Sequence, residues 1–169
     1  TGKQMLGRQQ LYDLMKALKD YDEDSNVDVI FLMFSKPLRV ASSNWPATNV
    51  HFDDWMSYAD QRDLILSYIK NDITTKPIFV TGDRHKFAIY KHTNIDTNGQ
   101  WEFLVGQGGA PNSVDIQTVQ AGDIQEEFIL RRGMGIISIN TNTASDSNAK
   151  AATTFGIRDV VGNIIYDDN

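Results

Sequence analysis

Val27 to Phe34 reads Val-Asp-Val-Ile-Phe-Leu-Met-Phe, and this run constrains the fold more than any other stretch of the chain. It is far shorter than the roughly 18 apolar residues a membrane span needs. A short, almost continuously apolar run is expected to be a strand buried on both faces, in a sheet covered by helices. Ser35-Lys36-Pro37 terminates it.

The covering helices are legible on either side. Leu11, Leu14, Met15 and Leu18 recur at helical spacing, with Lys16, Lys19 and Asp20 off that face, and the helix should end near Tyr21. Asp22-Glu23-Asp24-Ser25-Asn26 follows as a solvated polar loop, without the Gly and terminal Glu of a calcium loop. Arg62 to Ile69 predicts a second amphipathic helix that ends near Asn71. Ile78-Phe79-Val80, between Pro77 and Gly82, predicts a second buried strand. After it the pattern holds strands only: Phe87 to Lys91, Trp101 to Val105 after an Asn98-Gly99 turn, and Gly135 to Asn140. Thr153 to Arg158 and Ile164 to Tyr166 form a hairpin turning near Gly162-Asn163. Residues 111–132 give little beyond the apolar group Phe128-Ile129-Leu130. The sum is an α/β chain with two layers, whose sheet finishes in hairpins.

Composition narrows the function. With 169 residues the chain suits one domain or part of a larger one. A net charge of −6 argues against a nucleic-acid backbone as the main partner, which calls for a Lys/Arg surplus. A phosphorylated small substrate stays open, because a bound metal inverts the local field. The absence of cysteine removes disulfides, thiolate zinc sites and a Cys nucleophile together. No apolar run is long enough for a membrane span. A start at Thr1-Gly2-Lys3, without Met or a signal-peptide pattern, is expected of a processed product or of part of something longer.

Chemistry concentrates at Thr81-Gly82-Asp83-Arg84-His85. Ligands in α/β folds collect at the carboxyl ends of strands, where an Asp-x-His can aim a carboxylate and an imidazole at one ion. The plainer reading is that Asp83 caps its own turn. Residues 41–54 are unusually aromatic for a loop, with Trp45 and Phe52, and Trp55 and Tyr58 follow. They serve as a lid over a pocket, or their rings pack on the core. Gly106-Gln107-Gly108-Gly109-Ala110 lacks the Lys-Ser/Thr of a phosphate-binding loop.

Four segments, in order, resemble the C-terminal half of a PhoD-like alkaline phosphatase/phosphodiesterase of the metallophosphatase superfamily. They are Leu6-Gly7-Arg8-Gln9-Gln10, then Trp55-x-x-Tyr58 leading to Arg62 and Leu64, then Thr81-Gly82-Asp83-Arg84-His85, then the strand and hairpin from Gly133 to Tyr166. The resemblance implies an α/β/β/α sandwich, two sheets between helices, with residues 1–132 in the metallophosphatase-like domain and 133–169 as its antiparallel C-terminal hairpin module. It implies Asp83 and His85 as metal ligands, with Trp55 and Tyr58 bordering the substrate; Arg84, between the ligands, is expected to reach a phosphate oxygen as a catalytic contact or to form a salt bridge elsewhere. The cofactors implied are divalent or trivalent metal ions in a dinuclear or larger cluster, with Fe, Ca, Zn and Mn as candidates. Such ions polarise a phosphoryl oxygen and acidify a bound water. An extracytoplasmic location is implied by the family alone.

The departures shape the expectation. The family's early Asp, Gly-Asp-x-x-Asp and Asn-His segments are not in this sequence, His51 and His92 have no acids at motif spacing, and Ser35-Lys36-Pro37 stands where many relatives carry a His before Pro. Two ligands cannot satisfy ions that each need four or more. The chain is therefore expected to be inactive alone and to pair with an N-terminal half, missing, cleaved or on a separate chain, at an exposed sheet edge. Two other classes stand beside this. One is a catalytically dead metallophosphatase-like module in a surface or virion assembly. The other is a carbohydrate- or protein-binding domain using Trp45, Trp55 and Trp101.

Overall fold

The computed structural model describes residues 3–38, 55–83, 87–92, 100–105, 124–128, 133–140, 152–159 and 164–167. The elements run α1 (Arg8–Glu23), β1 (Phe31–Met33), a 3-10 turn (Trp55–Tyr58), α2 (Ala59–Asp72), β2 (Ile78–Thr81), β3 (Phe87–His92), β4 (Gln100–Leu104), β5 (Ile124–Phe128), β6 (Gly133–Asn140), β7 (Ala152–Asp159) and β8 (Ile164–Asp167). No described helix is long and apolar enough to cross a membrane.

Both helices follow from their apolar spacing. In α2 the buried residues are Gln61, Ile65 and Ile69, four apart and so in one row along the helix. Its end is closed from outside: the Lys76 ammonium donates to the last-turn carbonyls of Ile69 (2.7 Å) and Lys70 (3.0 Å). α1 starts at Gly7, which offers no side chain to cap it. Asp22 instead ties its far end to the connection after α2, accepting from the amides of Thr74 (3.0 Å) and Thr75 (2.6 Å).

β1 to β5 form one mixed sheet in the order β1-β2-β4-β3-β5. β1 pairs parallel with β2, and β2 parallel with β4. β3 lies antiparallel between β4 and β5. The expected long, doubly buried strand at Val27–Phe34 is corrected here. Only Phe31–Met33 is strand, and Met33 is 78% exposed. The cause is position: β1 stands at the end of the sheet order, with one strand neighbour among the described residues.

The pleat sorts the sheet's side chains between two cores. Phe79 joins Leu18 of α1, Ile65 and Ile69 of α2, and Ile30, Leu38, Trp55 and Ile73 in one cluster. Its neighbour in sequence, Ile78, packs instead with Phe87, Ile89 and Phe103. Burying each of the large aliphatic side chains is worth about 1.5–3 kcal/mol against leaving it in water. The Trp101 and Phe103 rings stack on the second face with centroids 6.3 Å apart.

β6, β7 and β8 form a separate antiparallel sheet. Ile137 of β6 packs against the second cluster, so this sheet meets the face of β3 and β4 that the helices leave. The Asn98-Gly99, Gly106–Ala110 and Gly162-Asn163 turns, and the aromatic loop at 41–54, lie outside the described residues.

Candidate functional site

Three parallel strands bring their carboxyl ends together. The Phe34 amide donates to the Val80 carbonyl (3.0 Å), and the Val105 amide to the Thr81 carbonyl (2.8 Å). Gly82 sits between them: a Cβ there would lie 3.7 Å from the Ser35 carbonyl oxygen and 3.8 Å from that of Val105. Asp83 follows with φ of 60°, the one non-Gly residue with positive φ among the described residues. Asp and Asn tolerate this left-handed region better than other side chains. The turn therefore suits an Asp on backbone grounds as well as chemical ones.

The Asp83 carboxylate is 54% exposed and is paired with the Lys36 ammonium, whose side chain is 18% exposed. Lys36 leaves the end of β1 and Asp83 the end of β2, so the pair closes two adjacent strand ends at their tips. Such a partly exposed pair is worth at most about 1 kcal/mol.

Beneath it lies a buried carboxylate. Glu102 in β4 is fully buried, and one of its oxygens accepts from the Thr81 hydroxyl (2.7 Å) and the Leu38 amide (3.1 Å). Register explains its place: Glu102 pairs with Phe79, and so shares the helix-side face with Phe79 and Thr81. Sequence reasoning missed this residue. Its signal was a lone acid within the aromatic and apolar strand Trp101-Glu102-Phe103-Leu104.

The other expected site residues fall as follows. Trp55 is 1% exposed and sits edge-on to Phe34, ring centroids 5.3 Å apart. Tyr58 is half-buried against the same cluster. Arg84 and His85 lie outside the described residues. Among the described residues no three His, Asp or Glu side chains come together as a metal site would require.

The first two family-like segments meet through Gln61, which is 6% exposed. Its side-chain oxygen accepts from the amides of Met5 (2.9 Å) and Leu6 (2.8 Å), and its nitrogen donates to the Leu6 carbonyl (2.9 Å). The helix that follows Trp55–Tyr58 thus holds the segment that begins Leu6-Gly7.

Comparison with known proteins bears on the fold. A solved structure of PhoD superposes with a TM-score of 0.59 at 17% identity, covering 98% of this chain and 36% of that one. That likeness is one of fold, and the chain spans about a third of the length of that structure. No curated protein matches the chain. The family model for PhoD-like phosphatase matches residues 1–144. This chain belongs to the PhoD-like phosphatase family.

Proposed function

We propose that the chain is the C-terminal part of a metal-dependent phosphoesterase acting on phosphate mono- or diesters, completed by an N-terminal half. The observation that carries this is Asp83, held in a left-handed turn where the ends of β1, β2 and β4 converge. In this reading Asp83 and His85 supply part of a metal site, and Arg84 between them reaches a phosphate oxygen. The bound cation would polarise the phosphoryl group. Trp55 packs in the core, and half-buried Tyr58 is the ring with surface left to meet a substrate.

Fit to a metal is partial. A carboxylate and an imidazole suit borderline and hard cations, yet the described residues bring together no third donor. The remaining ligands are therefore assigned to the N-terminal half, which also fits the share of the PhoD structure that this chain spans. Helices on one face of the sheet and β6–β8 on the other would then be part of an α/β/β/α sandwich. The outer edge of β1, with Met33 exposed, is where the missing half would add.

A second reading has its own observation. The Lys36 ammonium already neutralises Asp83, as expected of a family member kept as a structural or binding module after losing its chemistry. Elemental analysis of the full-length protein, with Asp83→Asn and His85→Ala alongside, separates the two. Stoichiometric metal in the wild type that drops in both variants supports the phosphoesterase. A folded, metal-free wild type would sink it and leave the module.

A further inference from the structure

We propose that Glu102 is the positioning residue of this site: one buried carboxylate oxygen fixes the Asp83 turn and the Lys36 turn relative to each other. The inference rests on the metal-site reading above for its consequence, but its geometry is independent of any metal. Thr81 stands two residues before Asp83, and Leu38 two residues after Lys36. Glu102 Oε1 accepts from both, at 2.7 Å from Thr81 Oγ1 and 3.1 Å from Leu38 N. A single atom therefore joins two segments whose tips meet in an ion pair.

The chemistry of the tie is specific. A fully buried carboxylate is costly unless donors converge on it, and here one donor comes from each segment. A leucine would fill similar space and leave the Thr81 hydroxyl and the Leu38 amide without this acceptor. Pro37 stiffens the link, since its ring fixes φ between the tethered Leu38 and Lys36. Glu102 touches neither substrate nor metal in this account. It acts through the position of Asp83, where a misplacement of about 1 Å can cost on the order of a hundredfold in rate.

The test compares Thr81→Val, which keeps the shape and deletes the hydroxyl, with Thr81→Ser, which keeps the donor. Glu102→Ala, a harsher change, is the second probe. In the full-length protein two quantities are read: amide hydrogen exchange across residues 35–38 and 81–83, and the affinity of the metal-stripped protein for Mn2+. Thr81→Val is expected to speed exchange in both segments and weaken Mn2+ binding by about tenfold, as one lost hydrogen bond predicts, and Glu102→Ala, which loses both bonds, by more than that. Thr81→Ser should hold both within about twofold, with α1 and α2 unchanged in every folded variant. Unaltered exchange in Thr81→Val would overturn the tie. Faster exchange with unchanged Mn2+ affinity would make Glu102 a structural residue only, and also overturn the proposal. If the wild type takes up no Mn2+, the metal reading itself fails, and the exchange data alone decide whether Glu102 joins the two turns.

Discussion

Gln61 and Glu102 are both buried polar side chains that tie distant backbone to a regular element, and they do so by opposite means. Gln61 carries a donor and an acceptor, so it pairs with two amides and a carbonyl of Met5 and Leu6 without burying a charge. Glu102 offers an acceptor oxygen, and it stands where a hydroxyl and an amide both point at it. A neutral amide suffices to dock a segment onto a helix. A buried carboxylate makes sense only where donors from separate segments converge, and here that place is the floor of the candidate site. The two ties therefore differ in kind: one amide docks a single segment onto α2, and one acceptor oxygen joins two segments at the strand ends.

The largest effect should come from the helix-covered core. Trp55→Ala removes a ring that is 1% exposed and set edge-on to Phe34, and chemical denaturation should show a loss of about 3–5 kcal/mol. A loss under about 1 kcal/mol would mean that this core is not the rigid half of the molecule. Gln61→Leu comes next, leaving three backbone groups of Met5 and Leu6 without this partner. About 2 kcal/mol is expected, with faster amide exchange at residues 5–6 and no change at 81–83. A disturbance that reached 81–83 would join the two regions and break the contrast.

The smallest effect sharpens it with pH. Burial raises the Asp22 carboxyl, but hydrogen bonds from the Thr74 and Thr75 amides outweigh that and hold it below its ordinary 3.8. A lowered folded value means that the contribution is complete above the unfolded pKa and lost as pH falls through the folded one. Wild-type Tm should therefore decline below about pH 4, and Asp22→Asn should lose about 1–2 °C less over that range. Identical acid profiles would show that the stitch between α1 and β2 carries no weight.

The sequence made some of this visible, and the reasons are physical. Leu11, Leu14 and Leu18 announced α1, and Ile78 to Val80 announced β2, because periodicity and burial are local properties. The length of β1 was overread, since an apolar run at a sheet edge looks like one at its centre until the strand order is known. β5 went unseen because Ile124-Gln125-Glu126-Glu127-Phe128 carries little apolar content, and its strand character comes from pairing with β3. At the site, the Thr-Gly-Asp turn was legible as a motif. Its ties were not: Glu102 draws its donors from 21 and 64 residues away, and Lys36 reaches Asp83 across 47. No spacing rule spans such distances.

The left-handed backbone at Asp83 also bears on how this position can drift through mutation. A β-branched or bulky replacement would meet strain before any question of chemistry arose. Asn and Gly are the replacements the turn accepts most readily, and Asn keeps an oxygen where the carboxylate stood. Loss of the acid can thus proceed without loss of the fold, and relatives that have abandoned catalysis should carry Asn or Gly here far more often than Val or Ile.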